Sequence, residues 1–131
     1  MVAGFTNAAD FEPIIGWELY QVTLDKWHVM FFFQDGAQLL NVAFAFSHRS
    51  RDGSVDYMFE IYGARQELNL SRVLRQRIVA VAVPSPDRLV LRFENEDEIT
   101  IHDSPDMQSW WFMPMNSTAD NASWGLSDDY D

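Results

Sequence analysis

The run LYQVTLDKWHVMFFFQDGAQL, Leu19 to Leu39, places two apolar stretches on either side of Gln34-Asp35-Gly36, and IVAVAVPSPDRLVLRFENEDEI, Ile78 to Ile99, repeats the arrangement around Glu94-Asn95-Glu96. Gly36 supplies the positive-φ residue that a tight hairpin turn favours. Leu19 matches Ile78 and Val22 matches Val81 at an offset of 59, whereas Phe33 matches Phe93 and Leu39 matches Ile99 at 60. One extra residue in the Pro84-to-Asp87 turn accounts for the difference. The chain therefore reads as a duplicated antiparallel unit. It is an all-β domain of about eight strands, two tandem β-meander repeats forming a sandwich or a partly open barrel.

Outward from these hairpins, Asp10 is a candidate cap for a helical turn over Phe11 to Ile15, and Gly16 ends it. Trp17 to Leu24 and Trp27 to Phe33 read as strands joined through Asp25-Lys26. Both faces of the second are apolar, which predicts a central strand covered on both sides, with His28 as a hydrogen-bonded core histidine. Gln38 to Ser47 reads as a third strand whose apolar positions change phase after Leu39, the signature of a bulge or twist. His48 to Ser54 reads as a polar loop, and Val55, Tyr57, Phe59 and Ile61 alternate as a half-buried strand. The second copy opens at Ser71, a cap for a short helix through Val73, Leu74 and Arg75. It closes at Trp110 to Met113, the counterpart of Tyr57 to Tyr62. A single domain over 1–131 follows, with repeats at about 11–64 and 70–115 and an acidic polar tail at 116–131 anchored by Trp124.

The chain of 131 residues is 47% hydrophobic and 15% aromatic, with no cysteine and a net charge of -11. The missing cysteines exclude disulfides, thiolate metal sites and cysteine nucleophiles. Met1 to Asn7 lacks the basic and apolar regions of a secretory leader, so a cytoplasmic protein is expected. After Arg92 there are ten acids and no Lys or Arg, while Arg65 to Arg92 holds six arginines against Glu67 and Asp87. That balance repels nucleic acid and anionic membranes and favours a basic protein partner.

With Ile15-Gly16-x-x-Leu19-x-x-Val22, Phe33-x-Asp35-Gly36, Leu89-x-Leu91-x-Phe93 and Asp103-Ser104-Pro105 before Ser109-Trp110, the chain resembles a family of small uncharacterised bacterial proteins over roughly residues 11–113. Some related proteins look immunity-like and lie in toxin and immunity neighbourhoods. The resemblance implies a binding role and assigns no catalytic residue. The chain departs from the family where Met107-Gln108-Ser109 replaces Tyr-Glu-Ser, and where Glu96 replaces a second hairpin glycine.

Among candidate chemistries, His28, His48 and His102 are too scattered for a metal motif, and Ser47-His48 beside Asp52 cannot form a triad because strand neighbours face opposite ways. No cofactor is implied, and a non-enzymatic protein is expected. The acidic hairpin Glu94, Glu96, Asp97 and Glu98 reads either as a solvated turn protecting a sheet edge or as a finger steering toward a basic surface. Trp110 and Trp111 must face opposite ways, which makes one of them a contact candidate. The leading expectation is a protein-binding protein, an immunity-like inhibitor of a basic toxin. The alternative is a small-ligand or metal-binding module with a pocket between the repeats and His102, Asp103 and Asp106 at its mouth. A homodimer through edge strands or exposed tryptophans is a third reading.

Overall fold

The computed structural model describes residues 5, 7–24, 28–52, 55–60, 70–104 and 109–114. The Asp25-Lys26 turn, Ile61, Asp106 and the 116–131 tail with Trp124 lie outside the described residues. Nine strands form among those that are described: β1 (Leu19–Leu24), β2 (Val29–Phe33), β3 (Gln38–Val42), β4 (Ala45–Arg49), β5 (Val55–Glu60), β6 (Ile78–Ser85), β7 (Arg88–Phe93), β8 (Glu98–His102) and β9 (Trp110–Pro114). They make an antiparallel sandwich, with one sheet ordered β1-β2-β3-β9 and the other β5-β4-β8-β7-β6. The sheets are not closed into a barrel.

Period-two alternation builds the core. Val29, Phe31 and Phe33 of β2 and Leu89, Leu91 and Phe93 of β7 are buried, and they pack with Leu40, Val42, Phe46, Ile99, Ile101, Trp110 and Phe112. Met30 and Phe32 are only half-buried, so β2 is sealed on one face rather than two. His28 precedes the strand, half-buried with its ring 5.9 Å from that of Trp111, and is not a core residue.

The phase change after Leu39 marks a change of sheet. Gln38 to Ser47 is not one bulged strand: β3 pairs with β2 and β9, and after the corner at Ala43-Phe44 the chain becomes β4 of the other sheet. β4 continues through His48 and Arg49, which were expected in a loop. The first repeat thus keeps β1, β2 and β3 in one sheet and sends β4 and β5 across, while the second keeps β6, β7 and β8 and sends β9 across, so Trp110 to Met113 is the counterpart of β4 and not, as expected, of Tyr57 to Tyr62. β4 pairs with β8, and β9 pairs with β3.

Equivalent positions follow from the pairing. Leu19 and Ile78 sit opposite Phe33 and Phe93, and in each copy the next residue, Tyr20 or Val79, is skipped by the ladder as a bulge. This explains why the inward residues Leu19 and Val22, or Ile78 and Val81, are three apart. Leu40 faces Phe31 as Ile99 faces Leu91, so Ile99 corresponds to Leu40 and not to Leu39. The physical reason is a shorter second turn. Glu96 N–H donates to the Phe93 carbonyl at 2.8 Å and Phe93 N–H to the Asp97 carbonyl at 2.9 Å, which closes a three-residue loop.

That loop needs a left-handed residue, and Glu96 fills the position at φ 73° where glycine would sit without a Cβ penalty. Glu96→Gly is expected to stabilise the fold by roughly 0.5–1 kcal/mol, the relieved strain exceeding glycine's extra chain entropy. A rise in the urea midpoint at unchanged slope checks this.

Each repeat opens with a 3-10 turn. The first spans Ala8–Ile14 and is capped by Asn7, whose Oδ1 accepts from Ala9 N–H at 2.8 Å, so Asp10 lies inside the turn and does not cap it. The second spans Leu70–Val73, one residue before the expected Ser71 cap. Phe11 and Ile14 of the first, and Leu70 and Val73 of the second, are buried in the common core.

Candidate functional site

Two features stand out against this duplicated frame. One is a buried charge centre that only one half possesses; the other is a surface that both halves build together.

The centre is Asp97, fully buried, between the β7–β8 turn, β4 and the second 3-10 turn. Oδ2 accepts from Arg72 Nε at 2.9 Å and from His48 Nε2 at 2.9 Å, and Oδ1 accepts from Arg72 Nη2 at 2.9 Å and the Arg51 N–H at 3.1 Å. Asn95 locks the turn, with its Nδ2 donating to the Arg72 carbonyl at 2.8 Å and its Oδ1 accepting from Asp97 N–H at 3.1 Å. Burial works to raise the Asp97 carboxyl, but the hydrogen bonds and charges of Arg72 and His48 outweigh it and hold the group below its ordinary value. An ionised carboxylate only accepts, so His48 donates from Nε2. His48 Nδ1 has no hydrogen-bond partner among the described residues. With all four lone-pair directions of Asp97 used by this chain, the group is spent as a structural tie and cannot also serve as a base or metal ligand. The other half places Phe112, Gln38 and Pro13 at the corresponding positions.

This corrects the reading of the acidic hairpin. Asp97 is not a contact residue. Glu98 is half-buried and pairs with Arg92 Nε at 3.6 Å, while Glu94, which accepts from Arg77 N–H at 3.2 Å, and Glu96 are the exposed acids of the hairpin. Trp110 is likewise internal, 2% exposed, stacked on Phe5 at 4.4 Å, with Nε1 donating to Asp103 Oδ1 at 3.0 Å. Trp111 faces the opposite way and is half-buried. Asp103 is committed inside as well, accepting from Ser109 Oγ at 2.9 Å. His102 Nε2 instead lies 3.4 Å from Ser47 Oγ, so His102 and Asp103 do not form the mouth of a metal pocket between the repeats. Among the described residues, no group of three or more His, Asp or Glu could hold a metal ion, and no helix is long and apolar enough to cross a membrane.

The shared surface lies where the two repeats meet. Residues 15–20 and 74–79 run antiparallel around a Glu18–Arg77 bridge. The bonds come in equivalent pairs: Leu19 N–H to Gln76 O and Ile78 N–H to Trp17 O at 3.0 and 2.9 Å, Gly16 N–H to Ile78 O and Arg75 N–H to Leu19 O at 2.7 and 2.8 Å. Both hairpin tips dock here, since Gln34 N–H donates to Glu18 O and Glu94 N–H to Arg77 O. Four exposed large hydrophobic residues lie on these two segments: Ile15 at 43%, Tyr20 at 40%, Leu74 at 36% and Val79 at 48%. Two are the bulge residues and two follow the 3-10 turns. The bulges create the exposure, because an extra residue in the ladder turns Tyr20 and Val79 away from the core. Arg75 lies over the Tyr20 ring at 5.5 Å, and Arg75 and Arg77 each approach Glu18, at 3.5 and 4.0 Å.

Sequence reasoning missed these four residues and the partners of Asp97. The offset of 59 does pair Ile15 with Leu74 and Tyr20 with Val79, and that recurrence was the available signal. Compared with known protein families, curated proteins and solved structures, the chain gives no match.

Proposed function

We propose that this chain is a non-enzymatic binding protein that recognises a basic protein partner through the surface around Glu18 and Arg77. The observation that supports this reading is the placement of Ile15, Tyr20, Leu74 and Val79 on two adjoining segments, where the antiparallel register sets Ile15 near Val79 and Tyr20 near Leu74 on either side of the Glu18–Arg77 bridge. The same surface carries Glu18, Asp35, Glu94 and Glu96 against Arg75 and Arg77, an acidic excess that agrees in sign with the chain's charge of -11. Such a field steers a basic partner, and the flanking apolar residues supply area that a partner can desolvate. The immunity-like form of this reading, inhibition of a basic toxin, draws its support from the family resemblance.

The test compares wild-type protein with a Tyr20→Asp/Val79→Asp double variant as bait in the native host. Both positions are solvent-exposed, so the variant is expected to fold. A basic protein retained by the wild type should be lost from the variant by at least ~100-fold, the equivalent of two modest hot spots. Raised salt should weaken the wild-type complex. Equal retention by both baits counts against the surface, and recovery of only acidic proteins counts against the partner class.

A further inference from the structure

The outward faces of the two sheets are built on the same rungs but filled differently. In the four-stranded sheet one rung reads Gln21, Phe32, Leu39 and Met113, and the next Thr23, Met30, Asn41 and Trp111. The equivalent rungs of the five-stranded sheet read Ala80, Arg92, Glu98 and Arg49, then Ala82, Val90, Thr100 and Ser47. Gln21 and Thr23 have become alanines, Met30 a valine, and Phe32 an arginine. The missing side-chain volume leaves a recess of about 260 Å³ lined by Ala80, Val81, Ala82, Val90, Arg92 and Glu98.

We infer that this recess is a binding site for a small aliphatic monocarboxylate. Its wall of alanines and valines suits a short hydrocarbon body, and its volume equals that of about eight or nine liquid waters, a ligand of similar heavy-atom count. The polar end is Arg92, whose Nε lies 3.6 Å from Glu98, a loose pair with the side chain 56% exposed. Its remaining N–H groups present the planar fork that binds a carboxylate through two parallel bonds. On the rung Glu98 stands in register between Arg92 and Arg49, two arginines to one acid, which leaves a net single positive charge. That balance favours a monoanion. A phosphate dianion would bring its second charge against Glu98, and a cation would meet the arginine. The inference does not depend on the protein-binding surface, which lies on other residues.

The experiment is an amide NMR titration of the full chain with valerate, run beside pentanol and pentylamine as neutral and cationic isosteres. Saturable shifts with valerate, centred on Ala80, Ala82, Val90 and Arg92, are expected, with pentanol and pentylamine weaker by at least ~10-fold for want of the charge-assisted pair. Arg92→Gln should lower valerate affinity by at least ~10-fold, and Ala82→Leu, which fills the recess at an exposed position, should abolish the shifts while the rest of the spectrum stays that of the folded protein. Absence of saturable shifts in the wild type, equal binding of pentanol, or unchanged affinity in Arg92→Gln would each overturn the site.

Discussion

Replacing Asp97 with alanine is expected to remove about 3 kcal/mol from the unfolding free energy, read as a fall in the urea midpoint without a change of slope. Four donors converge on that carboxylate, and the substitution removes the acceptor they share. Arg72 is 38% exposed, so its guanidinium regains water and the loss stays at the lower end of what a broken buried ion pair costs. His48 has no such recourse, being fully buried with Nδ1 already unpartnered. Asp97→Asn retains the shape but turns an amide N–H₂ toward a donor on one side, so it should also destabilise the protein. The pH dependence follows from the sign of the shift. Native Asp97 sits below its ordinary 3.8, so the unfolded chain takes up the proton first on acidification. The stabilisation is complete above about 3.8 and disappears as pH falls through the lower native value. Acid titration of stability should therefore show a limb in the wild type that is missing from Asp97→Asn.

Trp110→Ala is expected to be the more damaging change, about 4 kcal/mol by the same denaturation measurement. The indole stacks on Phe5 and meets Phe11 and Phe112 edge-on at 5.8 and 6.0 Å, so its removal opens a cavity among side chains that are themselves fixed. It also takes a donor from Asp103, which is 8% exposed. Trp110→Phe separates the two contributions. It keeps most of the ring contacts and loses only the Nε1 bond, so about 1–2 kcal/mol should go. A loss in Trp110→Phe as large as in Trp110→Ala would mean that the hydrogen bond, not the packing, holds the corner together.

The strands were legible wherever alternation was clean, as in Leu89, Leu91 and Phe93, and the duplication was legible because equivalent core positions keep their apolar character across nearly sixty residues. What escaped were features in which a local pattern has two structural causes. A phase change in Leu39 to Phe46 describes a bulge and a sheet crossing equally well, and only pairing with β8 distinguishes them. His48 looked like a loop residue because it is polar and followed by charges. Its burial is permitted by Asp97, forty-nine positions away, and no local pattern carries that information. Asp97 itself sat in a run of acids that read as solvated, yet it faces inward because the loop is one residue shorter than its twin. Tyr20 and Val79 read as ordinary strand residues, and their exposure arises from an irregularity visible only once the ladder is drawn.

The exchange of fourth strands between the repeats has a consequence for how this molecule comes into being. Neither copy, severed from the other, owns a complete sheet: the first lacks β9 on its flank, and its β4 has no β8 to lie against. The repeat written into the chain is therefore not a tandem of separable units but a clasp. During synthesis the earlier copy must wait, with greasy strands uncovered, until the later one has been made, because the long-range pairings that close both sheets form only together.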